Sequence, residues 1–295
     1  MIKKIFIKIL DSKEWENIQR SIYKFSKNRL SIIGLIVVFI ILFLAIFAPY
    51  ITSHPEAVGK YVNFSDAKNP PSTIYPFGTD IYGRDILTRT IFGFRISTVS
   101  ALIVLLISVP IGIILGLLAG YFGGWLDLLI MRITDIFLSI PVLILALALC
   151  SILPRNLITT IIGVSSLWWT WYCRIVYGLV KSIRNEYYIQ AAETIGASNS
   201  HIIFKEILPN CLGVIITKMT LDMGNVILLI SSLSFVGLGV QPPTAELASM
   251  IASSIVYLPE MWWMVVFPSV ALVFIVLGFN LLGDGIGDMF SVERG

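Results

Sequence analysis

The chain has 295 residues, 57% of them apolar and only 13% charged, and its mean hydropathy is +0.88. Soluble domains need more polar surface than this leaves, so a disordered chain, a fibrous chain and almost every soluble enzyme are excluded, and the solvent for most of the protein is lipid. A net charge of only +3, from 21 basic and 18 acidic residues, gives no support to a nucleic-acid partner.

The first 30 residues are basic and amphipathic, carrying Lys3, Lys4, Lys8, Lys13, Arg20, Lys24, Lys27 and Arg29. No cleavable signal peptide is read here, because the first long apolar run starts only near Ser31. Six apolar stretches then have the length of about 20 residues that a helix needs to cross a bilayer: 31–51, 96–121, 128–153, 157–176, 211–236 and 263–282. They are continuous rather than alternating in period two, which excludes a transmembrane barrel. The expected fold is therefore all-α and polytopic, with six transmembrane helices.

The basic residues set the orientation. The tail 1–30 is expected in the cytoplasm, the first transmembrane helix at 31–52 and an external loop at 53–96. The segment between the fourth and fifth spans carries Lys181, Arg184 and Lys205 and falls on the cytoplasmic side. The loop between the fifth and sixth has no Lys or Arg, only Glu246 and Glu260, and falls outside. The loop after the first span breaks the rule with Lys60, Lys68, Arg84, Arg89 and Arg95, which Asp66, Asp80 and Asp85 partly balance.

Gly112, Gly116 and Gly120 form two overlapping G-x-x-x-G units in the second span, a face on which helices pack closely. Arg132 and Asp135, three apart, are expected to pair. Lys218 and Asp222 lie four apart in the apolar fifth span, with Asn225 on a related face. Charges at such depth are costly; they either neutralise each other or line a translocation path. Cys150, Cys173 and Cys211 have no short C-x-x-C spacing and read as small apolar residues. His54 and His201 are too few for a metal cluster, so no metal site is expected. Catalytic signatures are absent: Gly59-Lys60 is followed by Tyr61, and there is no H-E-x-x-H or G-x-S-x-G. The chain is expected to bind no cofactor and to be no enzyme, so any nucleotide energy must enter through another chain.

The segment 187–210, YYIQAAETIGASNSHIIFKEILPN, is polar enough to lie outside lipid. It reads as a helix, a turn at Gly196-Ala197-Ser198, and a second short helix capped by Ser198 or Asn199 and ended by Pro209. Ala192 and Gly196, four apart, share a helix face whose small side chains admit another backbone.

This segment resembles the EAA loop of ABC importer permeases, E-A-A-x3-G-x9-I-x-L-P. Ala191, Ala192, Gly196, Leu208 and Pro209 are in register, while Gln190 replaces the glutamate and Glu206 the isoleucine. Further stretches are similar to the dipeptide, oligopeptide and nickel branch. They are Phe77-Gly78-Thr79-Asp80 with Gly83-Arg84-Asp85 and Arg89, and Gly123-Gly124 with Asp127, Met131-Arg132 and Asp135. Two more are the run from Leu233 through Gly237-Leu238-Gly239-Val240-Gln241-Pro242-Pro243 and the closing Phe279-Asn280-Leu281-Leu282-Gly283-Asp284-Gly285. The likeness covers about residues 17–290 and has the pattern of the second permease of a pair.

The resemblance implies a type I importer (MetI-like) transmembrane domain over 97–287, an ATPase-coupling loop at 187–210, a cytoplasmic tail at 288–295, and a first span that wraps around a partner. It implies as partners a homologous permease, two ATPase subunits holding ATP and Mg, an external substrate-binding protein and membrane lipid. The setting is a bacterial or archaeal cell membrane with both termini cytoplasmic. The cargo is a peptide or, alternatively, nickel or a metal chelate. With Gln190 neutral, Glu193 is placed to supply the loop's missing charge one turn later. Relatives often have an acid just before L-S-F, where Ile230 stands here. The segment 78–89 is either a cap, with Asp80 and Asp85 bonding Arg84 and Arg89, or part of a docking face; 237–243 reads as a rigid re-entrant or outer turn, since Pro and Gly stop the helix, and is expected on the external side. A secondary transporter, the competing class, would show repeated spans and several intramembrane ionisable residues; only Lys218 and Asp222 lie deep.

Overall fold

The structure, a computed structural model, describes residues 13–290; Lys3, Lys4 and Lys8 lie outside the described residues. Ten helices follow in chain order among them. An amphipathic α1 (Lys13–Lys27) leads into α2 (Arg29–Ile51), whose N-cap Asn28 accepts the Leu30 N–H at 3.1 Å. After a loop with two short 3-10 turns comes α3 (Ile86–Phe122), capped by Asp85, which accepts the Thr88 N–H at 2.9 Å. Gly123, at φ +67, ends α3 and opens α4 (Gly124–Leu138), followed by α5 (Val142–Ile152). Asn156 caps α6 (Leu157–Ile183). The short α7 (Tyr187–Thr194) precedes the long α8 (Asn199–Phe235). Glu246 caps α9 (Leu247–Ser254), and α10 (Trp263–Phe290) closes the bundle. Among the described residues the only β pairing is the isolated bridge of Thr79 with Asp85.

Glycines set the helix contacts. A Cβ on Gly112 would sit 2.5 Å from the Trp169 carbonyl oxygen, one on Gly116 2.8 Å from that of Cys173, and one on Gly120 2.7 Å from the Val180 side chain. Residue numbers rise together along this seam, so α3 and α6 run parallel, and the chain must return between them through α4 and α5. A second seam joins α2 to α10: a Cβ on Gly34 would meet the Leu282 nitrogen at 2.5 Å, and one on Gly285 the Ser31 side chain at 2.3 Å. Close backbone approach replaces the hydrophobic drive that lipid cannot supply. The bundle is apolar outside as well: Phe39 of α2, Leu106 of α3 and Phe274 of α10 are exposed. A surface of this kind is that of a protein solvated by lipid.

Several expectations need correction. Four helices, α2, α3, α8 and α10, are long and apolar enough to cross a membrane, and α4 with α5 makes up to five. The stretch 128–153 is not one straight span but this pair, bent by 87°. Pro141 stands at the break, where it cannot continue the ladder of α4. The fourth stretch is helical, but Trp168, Trp169, Trp171, Tyr172 and its Ser and Thr residues dilute its apolarity. Packed against α3, α4, α5 and α8, it faces protein where α2 faces lipid. Pro209 ends no helix: α8 runs straight through it. The six residues Ile202–Ile207 are π-helical, with the Leu208 N–H reaching back to the Ile203 carbonyl, and this wider turn absorbs the donor that proline lacks. The first span packs on α10 and α3 of its own chain, with Gly34 against Leu281 and Leu282.

Candidate translocation site

The bundle has two ends. One carries the loop 53–85, the turn 237–243 and α9; the other carries α7 and the junctions around 122–124 and 183–199. Between them, α5, α6 and α8 border an open cavity of about 450 Å³ in the side of the bundle. Lys218, Asp222 and Asn225, on one side of α8, line it, with Trp168 and Trp171 of α6 opposite.

Asp222 is 0% exposed. Its Oδ1 accepts from the Lys218 ammonium at 2.5 Å and from the Asn225 amide at 3.3 Å, and its Oδ2 accepts from the Trp168 indole N–H at 3.0 Å. A carboxylate buried this deep persists only when charge and hydrogen bonds replace its water. The i,i+4 spacing brings lysine and aspartate together locally. Trp168, 54 positions away from Asp222, is a participant that local spacing does not reveal; the run Trp168-Trp169-Thr170-Trp171 is its one sequence signal, since a buried indole needs an acceptor.

The α7 end is built by a different logic. Ile195 closes α7 and Gly196 follows at φ +83, with the Ala197 N–H on the Ala192 carbonyl and the Gly196 N–H on that of Glu193, both at 3.0 Å. This is the paired bonding of a Schellman cap, which only glycine enters without strain. Ser198 then caps α8, accepting the His201 N–H at 3.3 Å. Fully buried Ile189 pins α7 to the core, and Ala192 packs partly against it. Because the helix stops at Thr194, Ala192 and Gly196 do not share a helix face: Gly196 is exposed beyond the cap, and Ala191, Gln190 and Glu193 are exposed on α7. Gln190 donates to the Asn185 carbonyl at 3.2 Å. Leu208 and Pro209 lie within α8 at the end of its π-helical turn. Tyr187 and Ile195 project outward at 87% and 85% exposure.

Ion pairs tie α4 to α6. Asp135 pairs with Arg174, not with its helix neighbour Arg132, and Asp127 pairs with Lys181 at 3.1 Å and accepts from the Tyr177 hydroxyl. The partner on the facing helix wins because the two helices lie side by side there. At the opposite end, Asp80 accepts from Arg84 Nε at 2.7 Å and lies 3.9 Å from Arg89 Nε. Arg89 also donates to the carbonyls of Ala57 and Pro243, at 2.9 and 3.2 Å, which fastens the turn 237–243 to the loop. The Asp85 carboxylate bonds neither guanidinium; it is the N-cap of α3.

These features define a polytopic all-α membrane protein with an open charged cavity between its helices and a structured helical loop at one end. The chain belongs to the family of binding-protein-dependent transport system inner membrane components, whose model matches residues 112–292. The N-terminal transmembrane domain of oligopeptide transport permease C matches residues 17–71. The chain is similar to the dipeptide transport system permease protein DppC of Alkalihalophilus pseudofirmus, at 40% identity over 89% of this chain and 85% of that one. It is 38% identical to the probable D,D-dipeptide transport system permease protein DdpC of Escherichia coli, over 90% of this chain and 88% of that one. It is 37% identical to the oligopeptide transport system permease protein OppC of Bacillus subtilis, over 90% and 86%. The chain is thus the membrane-embedded permease component of a transport system, with the MetI-like fold of type I ABC importers, and not itself an enzyme; the secondary-transporter reading falls.

Proposed function

We propose that this chain is the second of two homologous permeases in an ATP-driven peptide importer. The observation that carries the mechanism is the continuity of α8, one helix from the loop at 187–198 to the cavity residues Lys218, Asp222 and Asn225. The cargo follows the relatives, which are named for dipeptides and oligopeptides. Two ATPase subunits hold ATP and Mg, and a binding protein delivers peptide to the end that carries the loop 53–85. Both termini face the cytoplasm of a bacterial or archaeal cell.

In this reading α7 is the surface the ATPases push. Ile189 and the Schellman cap hold it rigidly to the base of α8, so displacement passes along the helix. Asn199 and Lys218 are nineteen residues apart, about 28 Å at 1.5 Å per residue, so a small tilt at the loop reshapes the cavity walls and alternates access.

The test is reconstitution of the chain with its neighbouring subunits in proteoliposomes. The complex takes up labelled dipeptide only with ATP and the binding protein, while the chain alone turns over no ATP. Uptake without ATP, or robust turnover by the isolated chain, overturns the proposal. Cysteine labelling that places Gln241 inside the cell overturns the orientation.

A further inference from the structure

The cavity is asymmetric in what it offers a ligand. Asp222 has both carboxylate oxygens occupied by Lys218, Asn225 and Trp168, and it exposes no surface. Lys218 is different: its side chain keeps 26% exposure, and its ammonium lies 5.9 Å from the centroid of the Trp171 ring. An ammonium has three donors. One is spent on Asp222, which leaves donors in a cavity of about 450 Å³, within the range of small-molecule sites. The buried anion orients the lysine, and the accessible member of the pair is the cation.

We propose that this cavity takes the free carboxylate end of the peptide in transit, with Lys218 as the specificity-determining residue and Asp222 as the positioning residue behind it. The inference rests on the peptide-importer reading above. A charge-assisted hydrogen bond from the ammonium supplies the attraction. The terminal carboxylate is common to every unmodified peptide, so a site that reads it tolerates any side chain. The peptide's ammonium end finds no partner here, since the one anion is occupied and out of reach.

The experiment uses the reconstituted complex with saturating binding protein and one labelled dipeptide in three forms: free, C-terminally amidated and N-acetylated. Initial import rates are compared for the unaltered complex, Lys218→Met, Lys218→Arg, and the double change Lys218→Gln with Asp222→Asn. The double change keeps hydrogen-bonding side chains at both positions and leaves no lone buried charge, so it covers the case in which Lys218→Met fails to assemble. The ratio of free to amidated import is expected to fall about tenfold in the neutral variants, near what one charge-assisted bond supplies. It holds in Lys218→Arg, and the ratio of free to acetylated import does not move. An unchanged free-to-amide ratio in the double variant overturns the proposal and leaves the importer reading standing, as does a change confined to the acetylated form. If the unaltered complex imports none of the three, the peptide reading fails and this inference fails with it.

Discussion

The protein buries two aspartates against basic side chains, and the two clusters do different things. At the loop-bearing end, Asp80 holds Arg84 and Arg89, Arg89 is spent on two further carbonyls, and the crevice beside them is about 20 Å³. In the bundle, Asp222 holds Lys218, and the lysine faces a space some twenty times larger with donors to spare. Neither the residue types nor the depth separates a fastening from a site. What separates them is whether the cation is used up and whether anything fits beside it.

The largest effect should come from the fastening. Asp80→Leu strands two guanidiniums that are 7% and 3% exposed. An uncompensated buried charge of this kind costs about 3–5 kcal/mol. Assembly yield and thermal unfolding of the solubilised complex should collapse, while the peptide preference of any complex that survives is unchanged. A shift in preference would mean that the cluster is no mere fastening.

Next comes the cavity pair, where the two single changes should differ. Lys218→Met leaves a fully buried carboxylate with only neutral donors, whereas Asp222→Leu leaves an ammonium that already reaches the cavity and its water. Lys218→Met should therefore reduce assembly more, and the double change Lys218→Met with Asp222→Leu should restore assembly toward normal. Equal damage from the two singles would show that the lysine is as sealed off as the aspartate.

The same distinction explains what the sequence makes legible. Local relations can be read directly: apolar runs become α2, α3, α8 and α10, Gly196 ends a helix, Ser198 caps the next, and Lys218 meets Asp222 one turn on. Relations across the bundle cannot, because nothing near Asp135 points to Arg174, nothing near Asp222 to Trp168, and nothing near Arg89 to the carbonyl of Pro243. Two prolines show the limit from both sides. Pro141 sits inside an apolar run and breaks it, while Pro209 follows a polar loop and breaks nothing, because the π-helical turn before it gives up the bond in advance. Which outcome a proline produces depends on the backbone around it, and that is settled by packing.

A smaller effect is expected at Gly196, which carries no charge and tests whether open space, as in the cavity, is space meant for an occupant. A Cβ there meets nothing within 4 Å in this chain, so the intrinsic penalty is the φ of +83 alone. For an alanine that is about 1–2 kcal/mol, and Gly196→Ala should reduce transport modestly. Gly196→Leu carries the same backbone cost and adds bulk pointing away from the chain. It should insert normally and abolish ATP-coupled transport if a partner surface closes over the turn. Equal transport by the two variants would limit the glycine to its cap.

The smallest effect belongs to Glu193, a third case beside the fastened and the half-used charge. It is exposed, and among the described residues it makes no ion pair, whereas the amide of Gln190 is occupied by the Asn185 carbonyl. If an ATPase presents a basic side chain to this loop, Glu193 is the residue free to meet it. Exposed pairs contribute under about 1 kcal/mol, so Glu193→Gln should lower transport-coupled ATP hydrolysis by no more than a few-fold, and the loss should shrink as salt is raised and the charges are screened. Gln190→Ala gives up only a hydrogen bond within the chain and should change coupling less, with no salt dependence. Measured side by side in the reconstituted complex, the two variants separate a displaced charge from a structural amide. A silent Glu193→Gln removes the displaced charge and leaves the packing of α7 as the whole of the coupling contact.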